Sequence, residues 1–230
     1  MNFNCKAVVF DLDGTLLDTV PAILRTSNLT LERFSLPPIG EAEVKRFAGD
    51  GAAKLVERFL LHSGGADAYH SFFSEACQNY LDLFAANCMF GVQPYPGMPE
   101  TLQEMHRAGL RLAVLTNKPQ DRAEDNIYGF FGHDLFDVIC GITPQRRPKP
   151  DPAALLELLR HWDLQPNQCL YVGDTNTDMQ TAQNAALPKA GALWGFRDRA
   201  ELAQFAPEHL AEHPLDLLDI LGIRKAKISG

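Results

Sequence analysis

Five cysteines in 230 residues, at Cys5, Cys77, Cys88, Cys140 and Cys169, are too few and too scattered for a disulfide scaffold. No C-x-x-C spacing joins them, so zinc is the less expected reading, and the seven histidines show no metal-ligand spacing that meets Asp11, Asp13, Asp174 or Asp178. Buried, reduced thiols are the expected state. Cationic runs are missing too. The 21 Lys and Arg face 29 Asp and Glu, a net charge of −8, which removes the electrostatic footprint of a nucleic-acid binder. A protein this acidic that handles an anionic substrate must gather cations locally, as metal or as a few placed Lys and Arg. No apolar run approaches the roughly 20 residues of a membrane span, and the opening M-N-F-N-C-K lacks a signal peptide's apolar core. A cytoplasmic protein without nucleic-acid or membrane partners is expected. There is no internal repeat and no low-complexity segment.

What is present is an ordinary globular composition, 46% apolar and 22% charged, in a length that suits one large domain or two modest ones. The informative stretch is Lys6 to Leu17, K-A-V-V-F-D-L-D-G-T-L-L. Ala7 to Phe10 read as a strand buried on both faces of a parallel sheet. Asp11 and Asp13 follow where that strand ends, Gly14 permits a sharp turn, and Thr15 offers a hydroxyl. Ligands gather at the carboxyl ends of strands in open α/β sheets, so these acids are well placed for chemistry.

From Asp18 to about Gly91 the pattern becomes helical. Ile23, Leu24, Leu31 and Phe34 share one face behind Pro21; Ala52, Leu55, Val56, Phe59 and Leu60 share another. Tyr69, Phe72, Phe73, Ala76, Cys77, Tyr80, Leu81 and Phe84 form an aromatic stripe that reads as the core of a small bundle. Gly64-Gly65 reads as a helix-to-helix turn rather than a phosphate loop, since no strand precedes it. After P-Y-P-G-M-P at residues 94–99, strands and helices alternate. Strands are expected at Leu110–Leu115, Asp137–Cys140, Gln168–Val172 and Gly191–Trp194. Helices are expected around Leu102–Met105, from Gln120, over Leu155–Trp162, Thr177–Ala186 and Ala200–Phe205, and at Leu215–Leu221, before a frayed tail K-A-K-I-S-G. This alternation predicts an α/β fold, a doubly wound parallel sheet with right-handed crossovers over residues 1–17 and 92–230, and a helical insert at 18–91.

Each later strand end carries a polar feature: Thr116-Asn117-Lys118, then Lys149 in R-R-P-K-P-D-P, then G-D-T-N-T-D with Asp174 and Asp178. Singly, Thr116 reads as a loop hydroxyl, Lys149 as a solvated charge, and the two acids as helix-start residues. In order, at successive ends of one sheet, they read as a site for phosphoryl transfer. A carboxylate attacks phosphorus, a neighbouring acid handles the leaving-group proton, a magnesium ion offsets charge, and lysine and hydroxyl hold the phosphate oxygens.

D-L-D-G-T-L resembles the first motif of the haloacid dehalogenase superfamily, and the likeness extends over nearly the whole chain. It implies that Asp11 is the nucleophile and a magnesium ligand, and that Asp13 is the acid/base whose backbone carbonyl also binds the metal. It further implies that Thr116, with Asn117, and Lys149 bind phosphate, that Asp174 binds magnesium, and that Asp178 supports the metal. The helical insert resembles a type 1 cap. Within it F-A-G-D-G-A-A-K-L-V, together with Y-P-G-M-P-E-T-L, L-T-N-K-P and L-W-G-F-R, is similar to phosphoglycolate phosphatases. That likeness implies 2-phosphoglycolate as the leading substrate, with Gly49, Asp50, Gly51 and Lys54 of the cap loop as candidate contacts, and Arg46 and Lys118 as further partners for its second anion. Ala186 departs from it, standing where those relatives carry Gly before an x-Pro step, a matter of helix termination. The two loop glycines also fit a plain helix connection. Other small phosphomonoesters (sugar phosphates, nucleotides, pyrophosphate) and a phosphosugar mutase remain open, as does a monomer or a homodimer. Asp13 and the metal acids argue against a dehalogenase. D-x-D-G-T and the insert argue against a signalling receiver domain, and the complete core set argues against an inactive binding module.

Overall fold

A computed structural model describes residues 4–223; the tail K-A-K-I-S-G lies outside them. In chain order, β1 (Ala7–Phe10) and β2 (Leu17–Asp18) precede three helical segments: α1 (Val20–Arg33), α2 (Glu41–Phe47) and α3 (Ala52–Asn87). Then come β3 (Gln93–Pro94), α4 (Met98–Arg107), β4 (Arg111–Pro119), α5 (Gln120–Phe131), β5 (Val138–Ile142) and α6 (Ala153–Trp162). The chain closes with β6 (Cys169–Gly173), α7 (Asn176–Asn184), β7 (Lys189–Ala192), α8 (Arg199–Ala203), β8 (His209–Ala211) and α9 (Asp216–Ile220). It divides into two compact units, Met1–Leu17 with Pro94–Gly230, and Asp18–Gln93.

The first unit is built on a six-stranded parallel sheet of order β5-β4-β1-β6-β7-β8. Strand order reverses at β1, the switch point of a doubly wound sheet, where such sheets open a crevice at their carboxyl edge. The continuous apolar run of β1 follows from burial on both faces. Ala7 and Val9 join Leu115, Leu155, Leu159, Trp162 and Tyr171 in one core cluster, while Val8 and Phe10, pointing the other way, are equally inaccessible. Truncating Phe10 to Ala would cost about 3–5 kcal/mol.

Register aligns the chemistry. Phe10 lies level with Val114 on β4 and Val172 on β6. The residues beyond that level, including Asp11, Asp13, Thr116 and Asp174, therefore collect at one edge. The β4–β5 register shifts between Leu115 and Pro119, so the segment Thr116–Lys118 stands out of the regular ladder.

The helical unit matches the expected periodicity at its core. Phe59, Leu60, Ala76, Tyr80 and Phe84 are buried, and Phe34 stacks on Phe72 with ring centres 4.8 Å apart. The run of α3 breaks at Gly65 (φ 68°), a left-handed conformation that glycine adopts without steric cost, so two helices meet there. Several details differ from expectation. The strand expected at Gly191–Trp194 runs two residues earlier, at Lys189–Ala192, because the chain turns after Leu193, where Trp194 Nε1 bonds the Thr15 carbonyl and the Phe196 amide bonds Asp174. β2, β3, β8 and α2 were not anticipated: L-D, Q-P and H-L-A are too short to show periodicity, and E-A-E-V-K-R-F buries only Val44 and Phe47. All five cysteines are free, three of them buried. Among the described residues no helix is long and apolar enough to cross a membrane.

Candidate active site

The loop after β1 turns at Gly14, whose φ of 86° favours glycine. A Cβ there would also sit 2.8 Å from Asp174 Cγ and closer to its Oδ2, so the turn and the acid share one volume. Asp11, 4% exposed, accepts hydrogen bonds at Oδ1 from the Leu12 amide (2.7 Å) and is paired with Lys149 Nζ (2.9 Å). Asp174 is inaccessible, its Oδ1 bound by the Thr15 hydroxyl (2.6 Å) and its Oδ2 by the Phe196 amide (2.8 Å). Trp194 Nε1 donates to the Thr15 carbonyl at 2.9 Å, which ties the same post-β7 segment to the β1 loop.

Asp178 sits in the first turn of α7 because T-N-T-D forms a capping box. The Thr175 hydroxyl and amide donate to Asp178 Oδ2 (2.6 and 3.0 Å), and the Asp178 amide returns a bond to Thr175. Its Oδ1 accepts from Lys149 Nζ (2.6 Å) and the Tyr171 hydroxyl (3.1 Å). With both oxygens so engaged, Asp178 is better placed to hold Lys149 than to give an oxygen to a cation. Lys149 in turn reaches Asp11, Asp178 and Tyr171 (3.3 Å), and its backbone is gripped by Asn117, whose side chain accepts from the Lys149 amide (2.8 Å) and donates to its carbonyl (3.2 Å). The Asn117 side chain thus fixes the lysine loop. Thr116 is buried, its hydroxyl oxygen accepting from the Lys118 amide at 3.3 Å. Lys118 itself is buried and pairs with Asp13 Oδ1 at 2.6 Å.

Electrostatically this crevice is short of positive charge. Oxygens of Asp11, Asp174 and Asp178 lie within 4.8 Å of one another. Burial, reinforced by Asp178 and only partly opposed by Lys149, pushes the Asp11 carboxyl up to about 7. Burial, with the charges of Asp178 and Asp11, holds Asp174 well above the usual carboxylate range. For Lys149 the opposing cost of burial is outweighed by Asp11 and Asp178, which keep it protonated. Three carboxylates against one ammonium, all oxygen donors and no sulfur or imidazole among the cluster, fit a hard divalent cation. The Asn176 side-chain oxygen, between Asp174 and Asp178 in sequence, is buried without a protein partner, which also suits a hydrated ion.

The remaining predicted residues belong to the helical unit. Gly49 (φ 115°) and Gly51 (φ 87°) lie in the connection between α2 and α3, and Arg58 clamps it by pairing with Asp50 (2.5 Å) and donating to the Phe47 carbonyl (2.6 Å). Lys54 is exposed and pairs with Glu57 at 2.7 Å; Arg46 lies 3.9 Å from Glu43 and over the Phe47 ring. Sequence reasoning missed Tyr171, Thr175 and the Asp13–Lys118 pair. The one available signal for Tyr171 was a phenol in an otherwise apolar strand, which needs a partner when buried.

Comparison with known proteins gives the arrangement a family. A model of haloacid dehalogenase-like hydrolases matches residues 8–192. The phosphoglycolate phosphatase of Yersinia pestis is 32% identical over 222 residues, 96% of this chain and 95% of that one. That of Rhodospirillum rubrum is 37% identical over 195 residues, 83% of this chain and 80% of its own length. A crystal structure from Haemophilus somnus, described as a predicted phosphoglycolate phosphatase, superposes with a TM-score of 0.86 at 28% identity, covering 94% of this chain and 98% of that one. The likeness spans Asp11, Thr116, Lys149 and Asp174, and the chain belongs to the haloacid dehalogenase-like hydrolase family.

Proposed function

We propose that this protein is a magnesium-dependent phosphomonoester hydrolase acting through an aspartyl-phosphate on Asp11, with 2-phosphoglycolate as its leading substrate. The observation that carries the reading is the buried Asp11 carboxylate paired at 2.9 Å with Lys149, beside a second acid two residues on. The substrate rests on the names of the relatives in Yersinia pestis and Rhodospirillum rubrum, matched over most of both chains.

Asp11, Asp174 and the Asp13 backbone are the groups that would hold the ion. Bound there, magnesium would supply the positive charge that offsets repulsion between carboxylate and phosphate. The protein's own part follows from the contacts above. Lys149 has three donors, and its bond to Asp11 is the one that a phosphate oxygen can take over, since Asp178 and Tyr171 keep the ammonium in place. The Asp11 oxygen so released attacks phosphorus while the ester oxygen leaves. Thr116 and Lys149 hold the remaining phosphate oxygens as charge redistributes. Asp13 protonates the departing alcohol and then takes the proton of the water that attacks the aspartyl-phosphate, releasing inorganic phosphate and restoring Asp11.

A phosphate-release screen across small phosphomonoesters, with magnesium or with EDTA, tests chemistry and substrate together. The expected result is magnesium-dependent release with 2-phosphoglycolate ranking first by kcat/KM. Activity restored by zinc alone, or isomerisation of a hexose phosphate without phosphate release, would contradict it.

A further inference from the structure

The substrate's second anion is one candidate occupant for Lys118, yet its ammonium is already committed. Its side chain is 1% exposed and lies 2.6 Å from Asp13 Oδ1, while the Asp13 side chain keeps 20% exposure. The cation is dry and the acid keeps one partly accessible side. An ion pair built for stability gains little from leaving one partner exposed, because the desolvation of the lysine is then answered by a screened charge. The asymmetry suits a different task, fixing one carboxylate oxygen while the other stays accessible.

Local structure makes the arrangement specific. Thr116 and Lys118 are two apart at the irregular end of β4, so they face the same side, whereas Asn117 points towards the Lys149 backbone. The Lys118 amide donates to the Thr116 hydroxyl, which orients the lysine's own backbone. Three consecutive residues thereby serve three separate groups: phosphate contact, lysine loop and Asp13.

We infer that Lys118 is a positioning residue for Asp13, gripping Oδ1 so that Oδ2 is presented to the leaving-group oxygen. This role presumes the phosphoryl-transfer reading above. In the first half-reaction the proton passes from Asp13 Oδ2 to the ester oxygen as the P–O bond breaks and the bond to Asp11 forms. In the second, Oδ2 takes a proton from the attacking water as the Asp11–phosphorus bond breaks. Without the grip, Asp13 samples other rotamers and both transfers slow, while the approach of phosphate to Asp11 is unaffected.

Esters that carry no second anion separate this role from substrate binding. For Lys118→Met, kcat/KM on an alkyl phosphate should fall about a hundredfold, and on p-nitrophenyl phosphate less than about threefold, because p-nitrophenolate leaves without a proton. Rapid mixing of the variant with p-nitrophenyl phosphate should show a burst of p-nitrophenolate ahead of a slow steady rate, since the later water attack still needs the base. Lys118→Arg should recover much of the alkyl-ester activity. Lys118→Gln, which keeps a donor without the charge and so guards against misfolding of the Met variant, should fall between. Equal losses on both esters, with no burst, or unchanged activity on the alkyl ester would overturn the role while leaving the phosphatase reading standing. A wild-type chain inert towards every ester would overturn both.

Discussion

Gly195→Ala is a small change with a large expected effect, and its size can be worked from the packing around Asp174. A Cβ at position 195 would lie 2.5 Å from Asp174 Cγ, and closer still to Asp174 Cβ and the Gly14 carbonyl oxygen. Ordinary carbon contacts are about 3.5–4.0 Å, so something must give by roughly 1 Å. The obstacle is the turn after β1 and an inaccessible carboxylate bonded to Thr15 and Phe196, not the end of a flexible side chain. Position 195 is absent from the glycines with left-handed φ, so Ala suits its backbone and the cost is steric alone. Overpacking of this kind costs about 1–3 kcal/mol of stability. A shift of about 1 Å at a reacting centre costs about a hundredfold in rate, or about 2.7 kcal/mol in transition-state free energy. The assay is kcat/KM on p-nitrophenyl phosphate across a magnesium titration, with thermal melting as a control for folding. The expected result is a roughly hundredfold loss at limiting magnesium, partly recovered at saturation, because a displaced ligand weakens metal affinity by about 10–100-fold. A folded variant with unchanged kcat/KM and unchanged magnesium half-saturation would refute the packing argument.

Two further outcomes follow from groups already described. The Asp11 carboxyl, raised to about 7 by burial and by Asp178, binds its proton more tightly in the folded chain than in the unfolded one, where carboxylates titrate near about 3.9. The metal-free fold is therefore penalised as pH rises between about 4 and 7, so the magnesium-induced increase in Tm should grow across that window; an increase independent of pH would contradict the assignment. Ala186→Gly should raise stability by up to about 1 kcal/mol in denaturant melts without changing activity, because Ala186 holds φ 56° at the end of α7. A loss of stability there would show that the turn is unstrained.

The sheet was legible because parallel strands covered on both faces read as unbroken apolar runs, as Ala7–Phe10 does. The position of Asp11 and Asp13 at a strand end was legible from the break in that apolar run, whereas their proposed roles came from the resemblance of D-L-D-G-T-L to a family motif, since a lone D-x-D reads as readily as the start of a turn. Ala186 was legible as a helix terminator, and the structure gives the reason: its amide bonds to Gln183 and the Leu187 amide to Ala182, a Schellman closure that favours Gly at its left-handed position. Long-range pairing was not legible. Nothing in T-N-K announces that the Asn117 side chain serves the Lys149 backbone and Lys118 serves Asp13, 105 residues away. Tyr171 was hidden because its ring belongs to the core and only its hydroxyl belongs to the site. The strand at Lys189–Ala192 was misplaced because Leu193 and Trp194 look as apolar as strand residues, though the chain turns there and Trp194 Nε1 bonds the Thr15 carbonyl.

Trapping the covalent intermediate tests the central claim most directly. The chain is mixed with a rapidly leaving phosphomonoester and magnesium, quenched in acid within the first turnover, digested and mapped by mass spectrometry. The account predicts a phosphate adduct on the peptide that carries Asp11, decaying as inorganic phosphate appears, and lost in Asp11→Asn. Full release of phosphate in the first turnover with no adduct, or an adduct on any other residue, would contradict it.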